Sequence, residues 1–344
     1  MIELRTLTDG GQSPEEIAGE LEAFLAPARR TLDLALYDVR LTGPVGDRVR
    51  TALLGAQERG VAVRIAYNVD HPGHGKGPPP PKTDPQLLEA LPVPTRGIPG
   101  VPDLMHHKYV VRDGEAVWTG STNWTNDSWS REENVIVRLA STEIAADYEQ
   151  DFAQLWQLGD VERSGKAGGE PVQVGDGTVR AWFCPKRADR LVHRIAGALG
   201  RAKRIRIASP VLTSGPILAT LAEIVSDGRA DIAGVVDATQ IHEVLGQWAG
   251  NSGGSWKTPS LLKVLHGAPF SGKHSTPYAP GAVHDYMHAK VTVCDDVVFA
   301  GSFNLSHSGE MNAENVLEIQ DAGVAERLAS FVDEIRARYP AIDV

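Results

Sequence analysis

The sequence has 344 residues, of which 42% are hydrophobic and 23% are charged. This is the balance of a globular chain with room for about two domains of roughly 100–200 residues. The formal net charge of −10 argues against a broadly basic surface that coats nucleic acid, but it leaves room for a local basic cleft. The two cysteines are too few for a disulfide framework.

The N-terminus and the hydropathy pattern indicate the compartment. Residues 1–5 lack the charged-then-apolar pattern of a secretory signal. No run of about 18 apolar residues occurs, so no transmembrane helix is predicted. We therefore expect a cytoplasmic protein without stable membrane insertion.

Helices and strands alternate along the first half. Ser13, Pro14 and Glu16 form a helix-start signature, with an N-cap, a first-turn proline and a reciprocal cap. The predicted elements that follow are a strand over 32–37, a helix over 45–59, a strand over 61–67 and a closing helix over 142–158. Strands alternating with helices predict βαβ units and a largely parallel sheet.

The second half repeats this order. Its predicted elements are a helix over 187–199, a strand over 204–208, a helix over 216–225, a strand over 231–236 and a closing helix over 324–338. The glycine-rich segment 159–178 has little apolar periodicity and is predicted to be a linker. The chain therefore divides into an N-terminal half (1–158), a linker (159–178) and a C-terminal half (179–344).

A long segment without clear periodicity precedes the key motif of each half, over 69–103 and 239–286. Long loops are usually functional or disordered, and this position favours a role in facing the substrate. The cations and tryptophans that could follow a phosphate backbone and stack on bases are Lys76, Lys82, Arg96, Lys257, Lys263, Lys273, Trp248 and Trp256. His71 and His74 are three apart, but they lack further ligands at suitable spacing, so no metal site is expected.

A polar pattern occurs twice. Each copy has His-x-Lys-x4-Asp, then Gly-Ser-x-Asn, then Glu-Asn. The first copy contains His106, Lys108, Asp113, Ser121, Asn123 and Glu133, and the second contains His288, Lys290, Asp295, Ser302, Asn304 and Glu314. The spacing is 182 residues at the histidines (106 to 288) and 181 at the serines (121 to 302). A polar set duplicated in register predicts two half-sites that face each other.

Each copy is predicted to lie on a strand hairpin. His106 and Lys108 project from one face of a strand over 105–112, whereas His107 faces the opposite side, in packing or behind the site. Asp113-Gly114 is a turn signal, so the motif aspartates are expected to be structural. The glycine before each serine lets the backbone approach a ligand closely.

These residue types suit attack on a phosphodiester. A neutral imidazole can attack phosphorus and form a phosphohistidine. A protonated imidazole on the other side can protonate the leaving oxygen, typically worth about 10²–10⁴ in rate. The lysines and asparagines can stabilise the phosphoryl oxygens, so the chemistry requires no metal or other cofactor.

A carboxylate follows each copy. Glu133 and Glu314 stand at equal distance from the motifs and could orient each histidine through its far nitrogen. The alternative is an exposed turn glutamate. Glu132 is ambiguous, because only Glu133 matches Glu314 in register. His284 and Asp285 precede the second motif and either line the cleft or are ordinary loop residues.

Both copies resemble the His-x-Lys-x4-Asp motif with trailing Gly-Ser-x-Asn that marks the phospholipase D superfamily, and the resemblance covers both halves. It implies an α/β fold of two α-β-α layered halves packed about a pseudo-twofold axis around one active site. It also implies a ping-pong phosphodiesterase, a phosphoric diester hydrolase that forms phosphohistidine without a metal. Because both half-sites lie in one chain, a monomer is sufficient.

The resemblance also implies residue roles. In members with two motifs the first histidine is usually the nucleophile and the second the general acid, so His106 would attack and His288 would protonate the leaving group. The residues that would hold the phosphate are Lys108, Lys290, Asn123, Asn304, Ser121 and Ser302. The downstream acidic residue of the family matches Glu133 and Glu314.

The substrate stays open between nucleic acid and phospholipid. The superfamily includes phospholipases, transphosphatidylases, phospholipid synthases and nucleases. The absence of a signal, span or amphipathic anchor favours a nuclease, while the overall acidity counts against it. A phospholipid hydrolase or transphosphatidylase is the alternative. A non-catalytic nucleic-acid or lipid binder would require inactive motifs, and neither copy departs from the pattern.

Overall fold

The computed structural model describes residues 1–69, 87–88, 91–100, 102–250, 252–279 and 281–344. The N-terminal half contains β1 Ile2–Leu7, α1 Pro14–Leu25, β2 Thr31–Leu36, β3 Val39–Arg40, α2 Gly43–Glu58, β4 Ala62–Val69, β5 Thr95–Pro99, β6 Lys108–Arg112, β7 Ala116–Gly120, β8 Trp124–Thr125, α3 Asn126–Ser130, β9 Asn134–Ala140 and α4 Thr142–Leu158. The remaining elements are β10 Val172–Val174, β11 Gly177–Phe183, α5 Ala188–Arg201, β12 Arg204–Ala208, α6 Gly215–Asp227, β13 Asp231–Asp237, α7 Ala238–Ala249, α8 Ser252–Ser255, α9 Thr258–Gly267, β14 Phe270–Lys273, β15 Val291–Cys294, β16 Val297–Gly301, α10 His307–Met311, β17 Asn315–Gln320 and α11 Ala322–Arg338.

Each half is built on one mixed sheet. The strand orders are β1-β9-β7-β6-β2-β4-β5 and β10-β11-β17-β16-β15-β12-β13-β14. Neighbouring strands pair in parallel between β2, β4 and β5 in the first sheet and between β12, β13 and β14 in the second. The other neighbours in both sheets pair antiparallel. The prediction of a largely parallel sheet is therefore wrong, because each motif hairpin adds antiparallel strands.

Hydrophobic packing joins the two halves. Helices α1 and α2 cover one face of the first sheet, and α5, α6 and α9 cover one face of the second. A central core contains residues from both sheets and from the closing helices, including Tyr148 and Phe152 of α4 and Leu328 and Val332 of α11. Each sheet thus lies between helical layers, and the predicted fold of two similar α/β halves is confirmed.

The motif aspartates hold the chain at the hairpin turns. Asp113 and Asp295 have φ values of 56° and 53°, which are left-handed. The Asp113 carboxylate accepts the backbone amides of Arg29, Arg30 and Thr31 at 2.6–3.2 Å. Asp295 accepts the backbone amides of Lys203 and Arg204, at the start of β12, at 2.9–3.2 Å. Both aspartates therefore tie a hairpin turn to the start of the neighbouring strand.

Two organisational predictions need correction. The segment 239–286 is not irregular, because it contains α7, α8, α9 and β14, and the described part of 69–103 contains β5. Strand β10 and the start of β11 lie within the predicted linker, at the edge of the second sheet. The domain boundaries at residues 158 and 179 stay a prediction. His71, His74, Lys76 and Lys82 lie outside the described residues.

Candidate active site

The two motif histidines lie on the seam between the halves. Strand β6 begins at Lys108, so His106 precedes the ladder rather than lying within a strand over 105–112. Its backbone N–H donates to the Ala313 carbonyl at 2.9 Å, and the His288 N–H donates to the Glu133 carbonyl at 3.1 Å. Each histidine is thus held by the backbone of the opposite half.

One cleft is lined by the histidines and asparagines of both motifs. Its volume is about 230 Å³. It is lined by Tyr37, His106, Asn123, Pro210, Thr239, Gln240, Glu243, Ser275, Thr276, Tyr278, His284, Tyr286, His288 and Asn304. Both histidines and both motif asparagines therefore face the same space. His284 lines it as well, whereas Asp285 binds Thr276 instead.

His106 faces a carboxylate. Its Nδ1 lies 2.8 and 2.9 Å from the two oxygens of Glu314, which comes from the C-terminal half. Glu314 is fully buried. Because an ionised carboxylate only accepts hydrogen bonds, Nδ1 carries the proton and Nε2 keeps its lone pair. In this tautomer His106 Nε2 is unprotonated, which is the form in which an imidazole nitrogen can act as a nucleophile.

His288 faces an amide first. Its Nδ1 lies 3.2 Å from Asn134 Oδ1 and 3.4 Å from Glu132 Oε2. The amide orientation is fixed, because Ser121 Oγ donates to Asn134 Oδ1 at 2.6 Å and Asn134 Nδ2 donates to Glu132 at 2.9 Å. His288 therefore donates to a neutral oxygen, with a carboxylate one step further away.

Glu133 does not orient His288, so that expectation is wrong. Its carboxylate binds Lys273 Nζ at 2.9 Å, the Asp9 backbone N–H at 3.2 Å and the Tyr339 hydroxyl. These groups tie the two halves together away from the cleft. Glu132, which the register argument left ambiguous, is the carboxylate near His288.

A shift in register explains the error. Isolated bridges pair Met105 with Ala313 and Met287 with Glu133. Since Met287 is the counterpart of Met105, Ala313 is the counterpart of Glu133, and Asn134 is the counterpart of Glu314. The first half has one extra residue after the Gly-Ser-x-Asn segment. Aligning the two copies by residue type does not reveal this extra residue, because Glu-Asn occurs in both copies.

The motif serines and glycines support the site from behind. Ser302 Oγ donates to Glu314 at 2.5 Å and accepts the Asn315 N–H, and Ser121 Oγ plays the same part toward Asn134. A Cβ on Gly120 would lie 2.1 Å from the Val135 carbonyl, and one on Gly301 would be equally close to the corresponding carbonyl. These glycines therefore permit strand contact rather than approach of a ligand, and the serines contact the orienting groups.

The motif lysines are buried. Lys108 Nζ donates to the His106 carbonyl at 2.7 Å and lies 4.7 Å from the Tyr37 ring centroid. Lys290 Nζ donates to the His288 carbonyl. Burial lowers the pKa of Lys108 to about 7 and lowers the pKa of Lys290 well below its usual value. An anion bound between them would favour the charged form of both lysines.

The histidines share this electrostatic environment. Burial, followed by the charges of Lys108 and Lys290, lowers the pKa of both His106 and His288 well below the usual value. Burial also raises the pKa of Glu314 to about 7 and raises that of Glu132. Both imidazoles are therefore neutral near neutral pH while the site is empty of anion.

The motif asparagines complete the cleft wall. Among the described residues, Asn123 Oδ1 and Asn304 Oδ1 are buried without a hydrogen-bond partner. Unpaired buried polar atoms are costly, and native proteins keep them chiefly where a ligand or water completes the site. These two amide oxygens can therefore accept hydrogen bonds from a water molecule or a substrate hydroxyl in the cleft.

A polar cluster that the sequence did not indicate lies behind His106. His107, expected only to face away from the site, is fully buried with Nδ1 3.1 Å from Asn315 Nδ2 and Nε2 3.1 Å from Asp151 Oδ2. The Asp151 contact is poorly aligned for a hydrogen bond, so its attraction is mainly electrostatic. Thr119 and Tyr148 donate to Asn315 Oδ1, which fixes the amide. His107 Nδ1 must then accept, so its proton lies on the Asp151 side.

The loop residues proposed to follow nucleic acid are placed elsewhere. The described cations are bound as follows: Arg96 to the Trp156 carbonyl, Lys257 to the Thr213 carbonyl, Lys263 to Ser226 Oγ and Lys273 to Glu133. Trp248 packs against the outer core of the C-terminal half, and Trp256 is 63% exposed. None of these side chains lines the cleft.

The described part of the chain lacks two kinds of feature. No helix there combines the length and the apolar character needed to cross a membrane. Nor do three or more histidine, cysteine, aspartate or glutamate side chains within those residues form a group suited to a metal ion.

Known sequences resemble the chain in part. Mitochondrial cardiolipin hydrolase of Xenopus laevis is 32% identical over 137 residues, which are 39% of this chain and 58% of that protein. The protein of the same name from Chlamydomonas reinhardtii is 26% identical over 135 residues, 39% of this chain and 55% of the relative. The chain thus spans little more than half the length of these curated relatives.

Solved structures share the fold over nearly the whole chain. Phosphatidylserine synthase of Haemophilus influenzae superposes with a TM-score of 0.68 at 12% identity, covering 98% of this chain and 86% of that one. Polyphosphate kinase of Porphyromonas gingivalis gives 0.61 at 14% identity, covering 98% of this chain and 47% of the kinase. At these identities the likeness concerns the fold alone.

A family model settles the relationship. The family described as "Cardiolipin synthase, PLD-like domain" matches residues 21–156 and 191–336, which is most of both halves. These two matches contain the two motifs, and the fold is that of the structures above. The chain therefore belongs to the phospholipase D superfamily, with a PLD-like region in each half.

Proposed function

We propose that the chain is a phosphodiesterase that forms a covalent phosphohistidine on His106. The observation that carries this proposal is the pairing of His106 Nδ1 with the Glu314 carboxylate at 2.8 Å, which leaves Nε2 free at the cleft. The bound anionic diester favours the protonated form of His288. Nε2 of His106 attacks phosphorus, the bond from phosphorus to the leaving oxygen breaks, and protonated His288 gives that oxygen a proton. Water then attacks phosphorus, His288 takes a proton from the water, and His106 is released.

The difference between the two histidines supports this division of roles. An anionic partner stabilises the positive charge that develops on His106 as its nitrogen bonds to phosphorus. The neutral amide of Asn134 stabilises an imidazolium less, so protonated His288 is the stronger acid. Lys108 and Lys290, together with the motif asparagines, supply the positive charge and donors that the phosphoryl oxygens need.

The substrate proposed is a phospholipid-type diester. The sequence relatives that match the chain are named for cardiolipin hydrolysis. The nucleic-acid proposal depended on loop cations, and the described ones are engaged away from the cleft. Both motifs are complete, which favours an enzyme over a non-catalytic binder.

Turnover on defined substrates tests the proposal. Purified protein with EDTA is offered phosphatidylcholine, phosphatidylglycerol, single-stranded DNA and RNA in separate assays. We expect release of a headgroup alcohol from lipid, or its exchange with an added alcohol, and loss of either activity in His106→Ala. Cleavage of DNA or RNA without action on lipid would overturn the substrate, and full activity of His106→Ala would overturn the mechanism.

A further inference from the structure

The wall beside His288 is where a leaving alcohol would lie, if the proposed function holds. A row of rings leads away from His288, with centroid separations of 6.5 Å to Tyr286, 5.2 Å from Tyr286 to His284 and 5.8 Å from His284 to Tyr278. The first turns of α7 add Thr239, Gln240 and Glu243 to the same side of the cleft. The N-terminal half contributes little to this side, so the C-terminal half forms the surface that contacts the alcohol.

Glu243 gives this wall its charge. Among the described residues that line the cleft, it is the only aspartate, glutamate, lysine or arginine. It is exposed, and within the described chain its carboxylate has no ion pair or hydrogen bond. Burial and the neighbouring Arg40 lower the pKa of His284, so that imidazole stays neutral. The wall therefore presents neutral hydrogen-bonding groups, aromatic rings and one free carboxylate.

Nearby cations are already engaged. Lys108 and Lys290 each donate a hydrogen bond to the backbone carbonyl of the motif histidine two residues earlier. In the proposed function they bind the phosphate that reacts. Arg40 pairs with both oxygens of Asp38 at 2.7–2.8 Å and contacts His284 Nδ1 at 3.0 Å. A second phosphate on the leaving alcohol would thus meet Glu243 without a free cation from the described cleft lining.

We propose that Glu243 makes the cleft select against leaving alcohols that carry a second negative charge, and favour neutral or ammonium-bearing alcohols. Two unit charges about 7 Å apart, at an effective dielectric constant between about 20 and 80, change binding roughly 3- to 50-fold. The aromatic wall adds attraction for an ammonium group. Cardiolipin carries two phosphates, so this chain should use it less well than a diester with one phosphate.

Short-chain lipids below their micelle concentration test the selection. Their headgroups are ethanolamine, glycerol and glycerophosphate, and kcat/KM is measured for each with the full chain. We expect the glycerophosphate diester to be the poorest substrate of the wild type. Glu243→Gln should reduce the discrimination about 3-fold or more, and Glu243→Lys should reverse it. Glu334→Gln, which removes an exposed charge on α11 outside the cleft, should leave the order unchanged.

Salt and binding measurements separate this inference from the proposed function. The discrimination should shrink as salt rises from about 0.05 M to 0.5 M, because exposed charges are screened. In His106→Ala protein, the affinities for the ethanolamine and glycerophosphate diesters should differ, and Glu243→Gln should narrow that difference. If no diester is turned over but this binding difference appears, the selection stands and the phosphodiesterase fails. Discrimination that is absent or independent of Glu243, in turnover or in binding, would overturn the selection.

Discussion

The two half-sites share a backbone and differ in their side chains. In both, a histidine N–H binds a carbonyl of the opposite half, and a serine hydroxyl supports the group that faces Nδ1. On the first side that group is the carboxylate of Glu314, and on the second it is the amide of Asn134. The fold therefore places the two histidines in equivalent positions, and the exchange of one side chain gives their Nδ1 atoms different partners.

The residues packed behind the two histidines also differ between the halves, being polar behind His106 and apolar behind His288. His107, Asp151 and Asn315 form a buried polar cluster next to His106. By the pseudo-twofold register, the counterparts of His107 and Asn315 near His288 are Ala289 and Val135, both apolar and buried. Burying polar groups is costly unless they are paired, so this cluster indicates that the orientation around His106 is the more closely controlled.

The largest effect should come from the orienting groups. Under the proposed mechanism, Glu314→Gln removes the anion that would stabilise phosphorylated His106, so kcat should fall about 10²–10⁴-fold, as for other histidine-orienting carboxylates. Glu132→Gln should cost about tenfold or less, since Asn134 already accepts the His288 proton. Steady-state kinetics on one lipid diester measures both. Equal losses of kcat in the two variants would contradict a functional difference between the two orienting groups.

The dependence of kcat/KM on pH should also differ between the Glu314 and Glu132 variants. Burial raises the pKa of Glu314 to about 7, so its carboxylate takes up a proton as the pH falls through that value. The rate kcat/KM should then fall about tenfold per pH unit below 7. Glu314→Gln should lose this acid limb, whereas Glu132→Gln should keep it. A limb that survives Glu314→Gln would assign it to another group.

The polar cluster should affect kcat more than KM. Asp151→Asn leaves the shape of the cluster but removes the carboxylate charge that faces the proton on His107 Nε2. We expect kcat to fall roughly 3- to 20-fold with KM nearly unchanged, an effect of about 1–2 kcal/mol on the barrier. Phe331→Leu, at the pseudo-related position in α11, serves as a control for core packing. A loss of stability with unaltered kcat would make the cluster purely structural.

The smallest effect on chemistry is expected at the motif aspartates. Asp113→Ala leaves three backbone amides near the turn without their acceptor, which should cost roughly 1–3 kcal/mol of unfolding free energy. Asp295 is exposed, so Asp295→Ala should cost less. Denaturant unfolding measures both values, and kcat of the folded variants should stay near that of the wild type. A large loss of kcat in folded Asp113→Ala would give this carboxylate a direct role.

The fold and most of the residues that line the cleft were predictable from the sequence. The prediction failed where two residues of the same type in the two copies are not structurally equivalent. Capping by Ser13 and the strand at 204–208 were readable from local patterns alone. Glu133 was misassigned because Glu-Asn occurs in both copies, one residue out of structural register. His107 gave only strand alternation as a signal, since its partners Asp151 and Asn315 are distant in sequence. Contacts between the two halves join residues that are distant in sequence, so no local sequence pattern predicts them.

Trapping the covalent intermediate tests the division of roles most directly. His106→Ala and His288→Ala are mixed with a diester whose leaving group is p-nitrophenolate, which needs no proton, and are examined by intact mass and peptide mapping after rapid quenching. His288→Ala should form the adduct on His106 and accumulate it, because activation of water is lost, and His106→Ala should form none. An adduct on His288 in His106→Ala, with none in His288→Ala, would contradict the account.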